Sequence, residues 1–232
     1  MNSTAPRTVA LIQARLGSSR LPLKTLLCLR GLPLIDWIVQ RVSTATRVEQ
    51  VVVAIPDTPL DDVLAEHLQQ QGIAVFRGSE NDVLHRFCAA GRAFRAEQIV
   101  RICADNPLVS GEAIDQLLEF YAQADVDYAY NHIPHKNLWP DGLGAETLSM
   151  ALLEELEHKA SLPQHREHCL SYIWDNPTIY RIATFDPANP ALRRPELKLD
   201  MDTKEDFRHL ALLPIRPDMS MAEIINLFPA AL

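Results

Sequence analysis

Four short apolar runs, each followed within a few residues by a helical pattern, govern the first half of the chain. Thr8 to Ile12, Gln50 to Ile55, Ala74 to Phe76 and Gln98 to Ile102 read as strands. Leu34 to Val42 reads as a helix. Leu60 to Gln71 reads as a second helix, entered through Asp57-Thr58-Pro59 with proline at its first position and stopped by Gly72. Ser79-Glu80-Asn81-Asp82 has the pattern of a capping box opening a helix from Asp82 to about Ala96, and Ser110 caps another to about Ala124. Strands and helices alternating at this spacing predict an α/β fold, a doubly wound and mainly parallel sheet with right-handed crossovers.

After Val126 the rhythm changes. Val126 to Asn131 reads as a strand, His132 to Gly144 as a loop, Ala145 to Leu148 as a short strand and Ser149 to Lys159 as a helix. Gln164 to Asp175 reads as a further helix, Tyr180 to Phe185 as a strand, and Asp186 to Pro195, with three prolines, as turns. Leu197 to Met201 reads as a late strand. Thr203-Lys204-Glu205-Asp206 forms a second capping box before a helix to about Leu213, and a last helix runs from about Met221 to Leu227. The 232 residues suit one domain, 1–232, within which 131–195 reads as an inserted part facing substrate or a second copy.

A cationic island sits at the front of an acidic protein. The formal net charge is −8, yet Arg7, Arg15, Arg20, Lys24 and Arg30 all precede the first acidic residue, Asp36. The acidic balance excludes general nucleic-acid binding, which needs a basic face, but not a small phosphorylated ligand, which needs only a local patch. No apolar run approaches the roughly 20 residues of a membrane span. The short polar Met1 to Arg7 carries no signal-type processing site, so a cytoplasmic protein is expected. Cys28, Cys88, Cys103 and Cys169 lack CxxC spacing and read as buried thiols.

The island's centre is the loop Gln13-Ala14-Arg15-Leu16-Gly17-Ser18-Ser19-Arg20-Leu21-Pro22-Leu23-Lys24, at the carboxyl end of the first strand. Phosphate-bearing ligands sit at that edge of open α/β sheets. Arg15 and Arg20 can fork onto phosphate oxygens while Lys24 supplies a compact charge. The loop is neither GxxxxGK[ST] nor GxGxxG. Asp105, in Arg101-Ile102-Cys103-Ala104-Asp105-Asn106-Pro107, ends the fourth strand, and Asp202 ends the late one. Both can ligate Mg²⁺, which prefers one or two carboxylates plus phosphate oxygens. His165-Arg166-Glu167-His168 lacks a third zinc ligand and reads instead as a helix face turned to a pocket.

On these residues the chain resembles the cytidylyltransferases that activate acidic sugars, the 3-deoxy-manno-octulosonate and acylneuraminate enzymes, and most closely their spore-coat-polysaccharide (SpsF-like) branch. The resemblance runs from about Val9 to about Leu213. It is carried by the loop from Gln13 to Lys24, by Phe76-Arg77-Gly78-Ser79-Glu80-Asn81-Asp82, by Asp105 before Pro107-Leu108, by Asp202-Thr203-Lys204-Glu205-Asp206, and by Asp141-Gly142-Leu143 with Glu146 and Arg166-Glu167-His168. It implies a Rossmann-like nucleotidyltransferase fold and CMP transfer from CTP to a small acidic acceptor. It also implies a homodimer formed through the inserted part, with apolar residues around Tyr128 to Trp139 at the interface. Lys24, Arg15 and Asp105 would be catalytic, and Asp105 and Asp202 would hold Mg²⁺. Leu11, Gln13, Ala14, Arg15, Gly17, Ser18, Arg20, Lys24, Arg77, Gly78, Ser79, Asp82 and Ala104 would line the nucleotide. Asn131, Asp141, Glu146, Arg166 and His168 would face the acceptor. The chain departs from the pattern at Ala104, Lys204 and Gly144, where relatives commonly carry glycine, proline and aspartate. Two alternatives stand beside this reading: a phosphonate or other non-sugar acid as acceptor, and, from other classes, a nucleotide-binding protein without transfer activity or a glycosyltransferase using Asp200-Met201-Asp202 as a DxD metal motif.

Overall fold

The computed structural model describes residues 6–18 and 20–228. Ser19 of the loop and the chain's first five residues lie outside the described set. The strands are β1 (Thr8–Gln13), β2 (Cys28–Leu29), β3 (Leu32–Pro33), β4 (Gln50–Pro56), β5 (Ala74–Gly78), β6 (Gln98–Cys103), β7 (Tyr128–Tyr130), β8 (Glu146–Ser149) and β9 (Ile182–Ala183). The helices are α1 (Leu34–Val42), α2 (Asp62–Gln70), α3 (Val83–Ala93), α4 (Gly111–Gln123), α5 (Met150–Lys159), α6 (Pro163–Glu167), α7 (Ser171–Asp175), α8 (Lys204–Leu212) and α9 (Met221–Ile225).

Seven strands form one sheet in the order β5-β4-β1-β6-β8-β7-β9, and β2 and β3 form a separate two-stranded hairpin. β5, β4, β1 and β6 run parallel. β8 alone is reversed, antiparallel to both β6 and β7, while β7 and β9 are parallel. The expected mainly parallel, doubly wound sheet is therefore the observed one. Its period-2 alternation divides the core between two faces. Ala10, Ile12, Val53, Ile55, Val100 and Ile102 pack on one face with Leu34, Ile38, Leu64 and Leu117. Val9, Leu11, Val52, Ala54 and Ile99 pack on the other with Leu84, Phe87, Leu153 and Leu156.

Four local expectations change. Gln164 to Asp175 is two short helices, because His168 leaves the helical region (φ −96°, ψ 65°) and Cys169 and Leu170 bury themselves in the core. Leu197 to Met201 is not a strand of the sheet. It runs extended and makes a single bridge, Asp141 to Lys198. The helix after Ser79 starts at Val83, with Asp82 as its cap: the Asp82 carboxylate accepts from the His85 amide, and Ser79 Oγ accepts from the Asp82 amide. Finally, β8 and β9, both from 131–195, are strands of the main sheet. Tyr128, Tyr130 and Trp139, expected at a subunit interface, are at most 1% exposed within this chain's own core.

Candidate active site

Parallel strands end together, so the loops leaving β1 and β6 meet at one edge of the sheet. The Ala104 amide donates to the Gln13 carbonyl at 3.0 Å, which fixes the β6 exit beside the loop. That loop is braced from below. The Leu16 amide donates to the Asp61 carboxylate at 2.9 Å, the Thr25 hydroxyl to the Arg15 carbonyl at 2.8 Å, and Leu23 takes a left-handed conformation (φ 56°) before Lys24. Asp61 is only 2% exposed, so it acts on the loop from within the fold. The C-terminal quarter closes the site. The Met201 amide donates to the Asp105 carbonyl at 2.7 Å, and this bond, in place of a sheet strand, brings Asp202 to Asp105. Thr203 and Asp206 then form the expected capping box, and the Asp206 carboxylate also accepts the Asp202 amide at 2.9 Å.

The result is a cavity of about 190 Å³ lined by Gln13, Ala14, Arg15, Ser18, Arg20, Lys24, Thr25, Cys103, Ala104, Asp105 and Asp202. Lys24 is its electrostatic centre. Its ammonium donates to the Met201 carbonyl at 3.0 Å and lies 3.5 Å from Asp202 and 3.8 Å from Asp105. Arg20 forks onto both Asp202 oxygens at 2.9 and 3.2 Å, and its side chain is 68% exposed. Two carboxylates and three cations thus share one concave surface. The donor set fits a hard divalent cation that completes its shell with phosphate oxygens. Among the described residues, no group of three or more His, Cys, Asp and Glu forms a closed metal site.

Other expected site residues fall elsewhere. Leu11 is fully buried in the core, and Gly17 is outside the lining. Arg77 is held by Asp57 at 3.0 Å, Asp62 at 2.6 Å and the Thr58 carbonyl at 3.0 Å. Gly78, where an added Cβ would stand 3.0 Å from the Arg86 side chain, and Ser79 form the turn before α3. Arg166 is no free acceptor cation, because it grips the Asp82 carboxylate and donates to the Glu157 carbonyl at 2.7 Å. His168 is exposed at the end of α6, away from the cavity lining. Asn131 is fully buried and spends its amide on the Ala113 carbonyl and the Ala145 amide, both at 2.9 Å.

Glu146 is also interior. It pairs with Arg101, accepts from the Tyr128 hydroxyl and lies 3.8 Å from His132. Burial pushes its carboxyl up, but the Arg101 and His132 charges and the Tyr128 hydroxyl together outweigh burial and leave it below the ordinary range. Asp141 lies against Asp200, whose backbone nitrogen stands 2.7 Å from where a Cβ on Gly142 would be. Burial, then the Asp200 charge, pushes the Asp141 carboxyl up to about 6. Of Asp200-Met201-Asp202, only Asp202 lines the cavity. Asp200 pairs with Lys198 in a separate depression and Met201 is fully buried, so the three do not act as a DxD pair. Sequence reasoning missed Thr25, Cys103, Asp61 and Arg101. A lone arginine inside the apolar run of β6 was the available signal for the last of these.

A family model described as cytidylyltransferase matches residues 9–230. The spore coat polysaccharide biosynthesis protein SpsF of Bacillus subtilis is 36% identical over 226 residues, 94% of this chain and 92% of its own. A solved cytidylyltransferase from Leptospira borgpetersenii superposes with a TM-score of 0.85 at 28% identity, covering 95% of this chain and 93% of that one. A CMP:2-keto-3-deoxy-manno-octonic acid synthetase solved in complex with CTP shares the fold at a TM-score of 0.65 and 18% identity, over 88% of this chain and 97% of its own. A cationic loop and two aspartates at one sheet edge, inside a family match that runs nearly end to end, place the chain in the cytidylyltransferase family, as a CTP-dependent nucleotidyltransferase of its SpsF-like branch.

Proposed function

We propose that this cytidylyltransferase moves CMP from CTP to a small acidic sugar. An acceptor oxygen bonds to the α-phosphorus as the bond to the departing pyrophosphate breaks. The observation that carries this reading is the convergence of Lys24, Arg20, Asp105 and Asp202 within one cavity. The acidic acceptor is supported by the family resemblance and by the polysaccharide role in the name of the Bacillus relative.

Asp105 and Asp202 would hold the divalent cation, taken as Mg²⁺, which when bound supplies Lewis-acid polarisation of phosphoryl oxygens. The chain's own residues do the rest. Arg20 leaves Asp202 for the triphosphate, Arg15 and Ser18 cradle it from the loop, and Lys24 neutralises charge between the α-phosphate and pyrophosphate. Catalysis of this kind is mostly positioning and electrostatic stabilisation. The backbone at Gln13 and Ala14 would border the base, a role that the family resemblance extends to the Arg77-to-Asp82 turn, and Asp141 would face the acceptor. The residues 131–195 serve as the substrate-facing part of a cytoplasmic homodimer, a state that light scattering reads directly.

The test is pyrophosphate release with each NTP and Mg²⁺ against 3-deoxy-manno-octulosonate, N-acetylneuraminate and hydroxymethylphosphonate. Release with CTP and a sugar acid is expected. Release with the phosphonate alone would replace the acceptor class, and release of a nucleoside diphosphate would replace the reaction. No release at all, together with no CTP-induced rise in melting temperature, would overturn the proposal.

A further inference from the structure

An acidic acceptor needs something to read its acid, and the two side chains expected to do so are spent or remote. Arg166 is locked onto Asp82, and His168 is exposed outside the cavity lining. The cations that do line the cavity, Arg15, Arg20 and Lys24, belong to the phosphate loop. Three further polar side chains line it: Thr25 donates to the Arg15 carbonyl and Ser18 accepts from the Leu21 amide, both within the loop, while Gln13 turns away from the loop and its orientation is forced. Arg101 donates to Gln13 Oε1 through both Nε, at 3.2 Å, and an Nη, at 2.9 Å. A guanidinium has no lone pair to offer, so the Gln13 oxygen must face it, and the Gln13 NH₂ group must point the other way.

Arg101 is itself fixed. Its remaining arm pairs with Glu146, which the Tyr128 hydroxyl braces from the neighbouring strand. Arg101 and Glu146 side chains are 15% and 5% exposed. Neither Arg101 nor Glu146 lines the cavity; Gln13 does. A buried ion pair is weak evidence for stability and better evidence for specifying one arrangement. Here the specified arrangement is a single amide donor, polarised by the cation behind it. Its location follows from register. Gln13 lies opposite Cys103, and its side chain reaches toward β6, away from β4 and β5, where the Arg77-to-Asp82 turn stands. The donor is therefore on the Asp105 side of the phosphate loop, opposite the Arg77-to-Asp82 turn that the family resemblance assigns to the nucleotide.

We propose that the Gln13 side-chain NH₂ reads an anionic oxygen of the acceptor, and that Arg101, positioned by Glu146, is the residue that holds it in this role. The inference rests on the CMP-transfer reading above and adds which side chain selects the acid. A hydrogen bond to a charged partner is worth enough that its loss costs about tenfold or more in affinity.

The decisive variant is Gln13→Glu. Its carboxylate accepts both Arg101 donors as the amide oxygen does, so the fold and the buried pair keep their contacts. Only the outward donor is lost, replaced by a negative oxygen. Wild type, Gln13→Glu, Gln13→Leu and Arg101→Lys are assayed by pyrophosphate release with CTP, Mg²⁺ and the three acids named above, and by melting temperature with and without CTP. The expected result is an acceptor KM raised about tenfold or more in Gln13→Glu and Gln13→Leu and raised less in Arg101→Lys, with the CTP KM of the uncharged Gln13→Leu within about twofold of wild type. An unchanged or lowered acceptor KM in Gln13→Glu would overturn the inference, because a purely structural glutamine, or one facing a hydroxyl that can donate, tolerates that change. A parallel rise in CTP KM in Gln13→Leu, which adds no charge, would overturn it by placing Gln13 on the nucleotide. Absence of turnover in wild type removes the CMP-transfer reading first, and this inference with it. Should Gln13→Glu fail to fold, Gln13→Leu carries the same test.

Discussion

Lys24 holds two carboxylates together that would otherwise repel. Its ammonium is 13% exposed and lies within 4 Å of both Asp105 and Asp202. Lys24→Met removes the cation that the proposed function sets against the departing pyrophosphate, and loss of one such contact commonly costs about 3 kcal/mol of barrier. Turnover should fall about a hundredfold, read as initial pyrophosphate release at saturating CTP. Asp141 carries a pH prediction. Its folded pKa is raised to about 6 by burial and Asp200, so the folded state favours the neutral carboxyl. Stability from this group is full below the unfolded value and is lost as pH rises through about 6. Asn mimics the neutral form. Asp141→Asn should therefore match the parent melting temperature near pH 4 and exceed it at pH 8, without ligand; an equal difference at both pH values would place the shift elsewhere. That Arg15, Arg20, Lys24 and Asp105 share one cavity was legible because residue type and a place just after a strand narrow where they can sit; Asp202 joins them through the Met201–Asp105 hydrogen bond and not from a strand end. Asn131 and Glu146 were not legible, since a polar residue inside a loop-rich stretch reads the same whether it faces a ligand or satisfies a buried backbone. The answer lay in neighbours far along the chain: Ala113 for one and Arg101 for the other.

Helices with a strong local pattern were readable almost to the residue, as with α1 over Leu34–Val42 and the Thr203 capping box ahead of α8. Pairing order was not. β8 follows β7 in sequence yet sits between β7 and β6 and runs backward, a choice set by which edge β6 leaves open. Leu197 to Met201 has a strand's composition, but Asp141 meets it at one bridge and nothing extends the ladder. The β7–β8 connection depends on Gly144. A Cβ there would stand 2.2 Å from Asn131 Oδ1 and 2.3 Å from the Asn131 carbonyl, while Asn131 Oδ1 is already holding the Ala145 amide. Gly144→Ala should cost about 2–3 kcal/mol through that overlap, lowering the melting temperature by about 5–10 °C in a protein of this length. A change under 1 °C in calorimetry would mean that the connection has room to relax.

Across the whole molecule, the site is made where the two ends of the chain meet. The loop comes from the first tenth of the sequence and Asp202 from the last fifth, and the C-terminal segment is tied back by Arg41, which donates to the Val109, Pro217 and Met219 carbonyls at 2.8 to 2.9 Å. Burial pushes the Arg41 guanidinium down to about 10, with Asp218 opposing, so these carbonyls do much of the work of holding a cation inside the fold. A nucleotide bound between loop and Asp202 therefore bridges segments that only the complete fold brings together, and the unfolded chain has no comparable site. Binding at a hundredfold above Kd then stabilises by about 2.7 kcal/mol, a rise of about 5–10 °C in melting temperature for a chain of this size. Because the protein carries −8 overall and the cavity cations are partly exposed, the gain is local electrostatics against a repulsive background. Salt screens such contacts. The CTP·Mg²⁺ shift should shrink as NaCl rises from 0.05 to 0.5 M at fixed nucleotide, while the ligand-free melting temperature holds steady or rises. Asp202→Asn should lose most of the magnesium-dependent part of the shift and keep the part that CTP gives in EDTA. If the shift were insensitive to both salt and Asp202, the nucleotide would be held by the base and ribose, and the cationic loop would not be its anchor.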